Sequence, residues 1–171
     1  LIRSLPKQRI PIRKTDPYMS EINTVDREYM LLALAAAQAA ETQGEVPVGA
    51  VVIIDNEVVA SGFNRTIIDC DPTAHADIVA IRKAAKIINN HRLIEATLFV
   101  TLEPCAMCMG ALLQARIKRL VFGAHDPKAG ASGSEMDLSK HDQLNHAIEV
   151  EGGVLEEECS GLLKAFFKAR R

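Results

Sequence analysis

The sequence predicts an α/β fold, a mixed five-stranded sheet covered by helices on both faces. Three observations carry this. Short apolar runs of strand length alternate with longer stretches of helical character. Val48 to Ile54 is nearly continuous apolar sequence, as a strand buried on both sides should be. Asp55-Asn56 then reads as a tight turn into a second strand, so the sheet opens with a hairpin before its crossovers begin.

In chain order, Thr24 is a candidate helix cap, with Asp26 and Glu28 in the first turn near the positive dipole end. The alanine- and leucine-rich stretch that follows favours helix, and Gly44 ends it. The hairpin of Val48–Ile54 and Glu57–Gly62 comes next, then a loop containing Asp71-Pro72-Thr73. Further elements are a helix from about Ala74 to Ile88, a strand Thr97–Thr101 and a helix from Cys105 to about Ala115. A strand Arg119–Gly123 and a Gly-rich loop through Lys128, Gly130 and Gly133 follow. A short strand near Ile148–Val150 and a last helix from about Leu155 to Arg170 close the fold.

The chain has 171 residues, 48% of them hydrophobic and 25% charged, enough for one domain with a core that needs no disulfide support. No apolar run approaches the ~20 residues that cross a bilayer. The net charge of −2 does not advertise nucleic-acid binding by the whole surface, so any RNA contact must be local. Residues 1–18 differ from the rest. Arg3, Lys7, Arg9, Arg13 and Lys14 stand against Asp16 alone, three prolines interrupt the stretch, and it lacks a signal-peptide core. They are expected to be a flexible basic leader outside the core, with Met19 reading as a start and residues 19–171 as the folded domain.

Two short motifs carry chemistry. His75-Ala76-Asp77 opens one helix, and Pro104-Cys105-Ala106-Met107-Cys108 opens the next. One His and two Cys give three ligands and leave a fourth position open, which is how catalytic rather than structural zinc is held. Positive helix ends favour thiolates. A C-x-x-C pair in a chain with four cysteines points to metal or redox chemistry in a reducing cytosol. Asp77, two residues beyond the histidine, occupies the place of a non-ligand proton shuttle in the H-x-E…P-C-x-x-C pattern of zinc deaminases, one methylene shorter than glutamate. Cys70 and Cys159 read as ordinary thiols, and His91, His125, His141 and His146 as surface or hydrogen-bonding residues.

From about Met19 onward the chain resembles the bacterial tRNA-specific adenosine deaminase family of the cytidine/deoxycytidylate deaminase superfamily. The resemblance is carried by Glu45-Val46-Pro47-Val48-Gly49-Ala50, Gly62-Phe63-Asn64-Arg65, Asp71-Pro72-Thr73-Ala74-His75-Ala76 and Thr101-Leu102-Glu103-Pro104-Cys105-Ala106-Met107-Cys108. Val121-Phe122-Gly123-Ala124 and, most discriminating, Asp126-Pro127-Lys128-Ala129-Gly130-Ala131 with Gly133-Ser134 complete it. It implies a cytidine-deaminase-like three-layer α/β/α sandwich and a zinc-dependent deaminase domain over residues 19–171. It implies a cytoplasmic homodimer with one Zn²⁺ per chain and no membrane partner, acting on a tRNA anticodon stem-loop to convert the wobble adenosine of an arginine tRNA to inosine. By motif it implies His75, Cys105 and Cys108 as metal ligands and Asp77 as proton shuttle. Asn64, Val46 and Pro47 would lie at the base, and Asp126 in the loop that meets anticodon nucleotides. The departure is Asp77, where the family has Glu. A deaminase of a free base or nucleoside such as guanine or cytosine, and a catalytically weak tRNA-binding partner subunit, stand as alternatives. Met107, Met109, Leu112 and Leu113 exceed what one helix face needs, and with the resemblance they place the expected dimer contact near the helix Cys108 to Ala115 and the loop that follows it. Lys164, Lys168, Arg170 and Arg171 on the last helix are candidates to grip phosphates.

Overall fold

The structure, a computed structural model, describes residues 17–140 and 142–170, with side chains from residue 24 onward. The elements run α1 (Pro17–Thr42), β1 (Gly49–Ile54), β2 (Glu57–Phe63), α2 (Ala76–Ile88), β3 (Thr97–Leu102), α3 (Ala106–Gln114), β4 (Arg119–Ala124), β5 (Glu149–Gly152) and α4 (Glu156–Lys168). The five strands lie in the order β2-β1-β3-β4-β5. β1 is antiparallel to both β2 and β3, whereas β3, β4 and β5 are parallel. This is the mixed sheet that the order of elements predicts.

The hairpin turn has φ of 51° at Asp55 and 62° at Asn56. Two consecutive positive φ values define the turn whose twist matches the flanking strands, and Asp and Asn are the residues that tolerate them.

Side-chain alternation along the central strands divides the core into two layers. Ala50, Val52, Leu98, Val100, Leu120 and Phe122 pack with residues of α2 and α3, including Ile78, Ile81, Cys108, Met109 and Leu112. Val51, Ile53, Phe99 and Val121 pack instead with Met30, Ala33 and Leu34 of α1 and Cys159 of α4. Each strand thus buries both faces, which explains its continuous apolar character.

Helix α1 begins at Pro17, well before the expected start at Thr24. Proline is favoured at the first helical position because its missing N–H would be unpaired there anyway. Asp26 is consequently not a dipole residue of the first turn. It is buried, and its carboxylate accepts two hydrogen bonds from the Arg119 guanidinium of β4, at 2.8 and 2.7 Å. Arg119 also reaches Glu151 of β5 at 2.7 Å, so one side chain ties α1 to two strands. The leader lies outside the described residues for positions 1–16, and so do His141 and Arg171. Among the described residues no helix is long and apolar enough to cross a membrane.

The backbone of α1 rests directly on β1. A Cβ built on Gly49 would stand 2.1 Å from the Ala33 carbonyl oxygen and 2.4 Å from the Ala37 nitrogen. Backbone cannot give way as a flexible side chain can, so Gly49→Ala should cost about 3 kcal/mol, the upper part of the overpacking range. Urea unfolding would show this as a lower midpoint at unchanged slope. Gly161 in α4 has nothing within 4 Å of its Cβ position and serves as the control. Gly161→Ala should be neutral or stabilising by up to ~1 kcal/mol, because alanine gives up less backbone freedom than glycine in a helix.

Candidate active site

Two helix N-termini meet beside the carboxyl ends of β3 and β4. His75 is the N-cap residue of α2, and Cys105 that of α3. Both have extended backbone and neither makes a side-chain cap hydrogen bond, so their side chains are directed away from their own helices. Asn64 supplies a cap in place of His75, its Oδ1 accepting from the Ala76 N–H at 2.9 Å.

His75 Nδ1 lies 3.7 Å from Cys105 Sγ and 3.5 Å from Cys108 Sγ. All three donor atoms fall within 4.8 Å of one another. For an ion bound tetrahedrally at ~2.0–2.3 Å, donors stand ~3.6 Å apart, so the spacing fits. Among the described residues this is the one group of three or more His, Cys, Asp or Glu donors close enough to share an ion. The set is one imidazole and two sulfurs, a combination that suits zinc. Hydrogen bonding from Cys108, and then from His75, pulls the Cys105 thiol down to about 3. Its hydrogen bond to Cys105 raises His75. The same interaction with Cys105, joined by burial, raises Cys108.

Asp77, in the first turn of α2, is 4% exposed. Its Oδ1 is the one buried side-chain oxygen or nitrogen among the described residues without a hydrogen-bond partner. Burial pushes its carboxyl up to about 6, against an opposing contact with the Cys108 thiol. A buried acid with one free oxygen beside a cluster of metal donors is equipped to hold a proton for something that binds there.

Of the residues expected at the base, Asn64 is tied to Ala76, the residue after His75, and to the segment that holds Val46 and Pro47. Pro47 is buried and Val46 half-buried. The adjoining Val48 carbonyl accepts from the Asn64 N–H at 3.1 Å, which sets the two segments side by side. Asp126 stands in the loop after β4, its Oδ1 accepting from the Lys128 and Ala129 N–H groups at 2.9 and 3.2 Å.

Two buried acids in the same region carry more than the sequence revealed. Glu45 is fully buried and accepts from the Ile67 and Ile68 N–H groups, both at 2.8 Å, which shapes the loop leading to His75. Glu103 is buried against the loop after β4. Burial works to raise its carboxyl, but hydrogen bonds from Ser134, Asp126 and Ser132 together outweigh that and hold it below the usual range. The available signal was an acid just past a largely apolar strand, two residues before the first cysteine of the C-x-x-C pair.

A family model of MafB19-like deaminases matches residues 24–171. The tRNA-specific adenosine deaminase of Haemophilus influenzae is 52% identical over 147 residues, covering 85% of each chain. That of Bacillus subtilis is 47% identical over 148 residues, covering 86% of this chain and 92% of its own. The chain belongs to the tRNA-specific adenosine deaminase family. A structure solved in studies of A-to-I editing by tRNA:A34 deaminases at the wobble position of transfer RNA agrees with this. It has a TM-score of 0.75 and 43% identity, covering 80% of this chain and 99% of that one. The cytidine-deaminase-like three-layer sandwich expected of the family is the fold observed, with α2 and α3 on one face of the sheet and α1 and α4 on the other.

Met109, Leu112 and Leu113 are core residues, so of the four residues that suggested a dimer contact only Met107 is exposed. These residues are buried within the chain, in the core cluster shared with α2 and the strands, so the apolar excess of this short helix is no argument for a dimer contact.

Proposed function

We propose that this chain deaminates the wobble adenosine of an arginine tRNA to inosine, acting on the anticodon stem-loop in the cytoplasm as a homodimer with one zinc per chain. The observation that carries the reading is the His75, Cys105 and Cys108 cluster with the buried, half-unpartnered Asp77 beside it. Zinc held there supplies Lewis-acid activation of water at neutral pH.

The chain's own residues do the remainder. Asp77 takes a proton from the attacking water and delivers it to ring nitrogen N1. As the C6–N bond breaks, Asp77 passes the water's second proton to the departing amine, which leaves as ammonia while C6 keeps the oxygen. Val46 and Pro47 wall the base and exclude water. Asn64, whose Oδ1 accepts from the Ala76 N–H beside His75, contacts the base. Asp126 meets the flanking nucleotides. The target base must leave its stack, which costs a few kcal/mol in a duplex and less in a hairpin loop.

A basic groove supports an RNA substrate. Lys128, Lys164, Lys168 and Arg170, with Leu163 and Phe167, line a surface hollow of about 850 Å³. Lys128 belongs to the same loop as Asp126 and joins the hollow to that loop. Arg170 lies over the Phe166 ring at 3.6 Å, which fixes its position. In the double variant Lys164→Ala/Lys168→Ala the affinity for a stem-loop should fall about tenfold at low salt. The slope of log K against log salt should shrink by about 0.7–0.9 for each phosphate that is no longer neutralised. An unchanged slope would remove these lysines from the RNA.

Incubating the zinc-loaded protein with an adenosine-containing anticodon stem-loop, and separately with free bases and nucleosides, tests the reading. Inosine should form in the stem-loop alone. Turnover of a free base would mark a different deaminase. RNA bound without any turnover would mark a silent partner subunit, which the shortened acid at Asp77 would then explain.

A further inference from the structure

Glu103 is spent almost entirely on one loop. Its Oε1 accepts from the Ser132 N–H at 3.2 Å, the Ser132 hydroxyl at 3.3 Å and the Ser134 N–H at 3.1 Å. Its Oε2 accepts from the Asp126 N–H at 3.0 Å and from the Ser134 hydroxyl. Five donors from three positions of the segment 126–134 thus converge on one carboxylate that is only 2% exposed. The segment is built to receive it. A Cβ on Gly130 would lie 2.4 Å from Glu103 Oε2, so a residue without a side chain is needed where the carboxylate sits. Gly130 also bridges to Cys105, and the Ala131 N–H donates to the Pro104 carbonyl at 2.8 Å. The loop is therefore attached to the turn that carries two metal-donor cysteines, through residues adjacent to Glu103.

We infer that Glu103 is a positioning residue that sets the 126–134 loop, and with it the RNA-facing Asp126 and Lys128, relative to the metal-donor cluster. This rests on the proposed function, in which the loop meets the RNA. A carboxylate is the side chain suited to the task, because it accepts on two oxygens and donates on neither. An amide of the same shape presents two N–H groups to donors and would push part of the loop away. The cluster itself is not reached through Glu103, since His75 and both cysteines are placed by α2 and α3.

Zinc-loaded parent, Glu103→Gln, Gly130→Ala and Ser134→Ala proteins should be compared by amide exchange, stem-loop binding, turnover and zinc content. In Glu103→Gln, exchange at Asp126, Ser132 and Ser134 should rise about tenfold or more while β3 and β4 amides keep their protection. The Kd and KM for the stem-loop should rise about tenfold, with kcat within about threefold of the parent and zinc unchanged. Gly130→Ala keeps the charge but displaces it, and should act in the same direction. Ser134→Ala removes a single donor side chain and should have a smaller effect of the same kind. If Glu103→Gln does not fold, these two variants carry the test. Unchanged loop exchange would overturn the inference. So would loss of zinc with a fall in kcat as large as that in kcat/KM, because Glu103 would then be supporting the metal centre. A parent that binds the stem-loop yet forms no inosine would sink the functional reading alone, leaving the exchange and binding results to decide the role of Glu103.

Discussion

Replacing Asp77 with alanine should lower the single-turnover rate of inosine formation by about three orders of magnitude, in the range that positioned acid–base groups contribute. Zinc and RNA should stay bound, because residue 77 lies outside the donor triad. Asp77→Glu should move the rate the other way. The family has Glu at this position, and the missing methylene withdraws the carboxylate by roughly an ångström, a misplacement that can cost on the order of a hundredfold. Asp77 is 4% exposed with Oδ1 unpartnered, so moving that oxygen on a longer acid breaks no protein hydrogen bond. A gain of about ten- to a hundredfold is expected at matched zinc content. An active alanine variant would show that the proton passes elsewhere. A fast parent with no gain from glutamate would show that the pocket has adjusted to aspartate.

Loss of a metal donor should have the second large effect. Cys105→Ala or Cys108→Ala is expected to bring zinc, by elemental analysis, from about one per chain to near zero, and turnover down with it. Stability should follow. The donors start two helices from different parts of the chain, so an ion joining them favours the folded state alone. At free zinc a thousandfold above its Kd, that linkage is worth about 4 kcal/mol. A chelator should therefore lower the melting temperature of the parent and leave that of Cys108→Ala unmoved. Full zinc content in either variant would contradict the donor set.

Much of this was legible in the sequence for local reasons. A strand buried on both sides must be apolar throughout, and Val48–Ile54 is. A hairpin turn of positive φ needs residues such as Asp55 and Asn56. A His and a C-x-x-C pair at two helix starts announce a metal whatever the surrounding fold. The misses were long-range or contextual. Pro17 is itself a start signal, but Thr24 offered an equally good cap seven residues later. Asp26 looked like a dipole residue because its true partner, Arg119, is 93 positions away. The work of Glu103 depends on donors 23 and 31 positions downstream, which no pattern of spacing reveals. The apolar residues of the nine-residue α3 could not be divided between core and surface from the sequence, and three of the four that suggested an interface are buried within the chain.

The division of the central strands into two layers has a consequence for how such a chain can vary over generations. On β1, β3 and β4 as far as Phe122, even-numbered core positions face α2 and α3, and odd-numbered ones face α1 and α4; Ala124, at the end of β4, joins the second layer. Drift at Val51, Phe99 or Val121 reaches the helices that carry no metal donor. It is felt as a change in folding free energy, which selection ignores until a threshold is crossed. Drift at Val52, Val100 or Phe122 presses on the layer that holds Ala76 and Cys108, where a fraction of an ångström reaches the chemistry. Neighbouring residues of one strand, equally buried and equally apolar, therefore stand under different selection, and a lineage can remodel the back of its sheet while the front stays fixed.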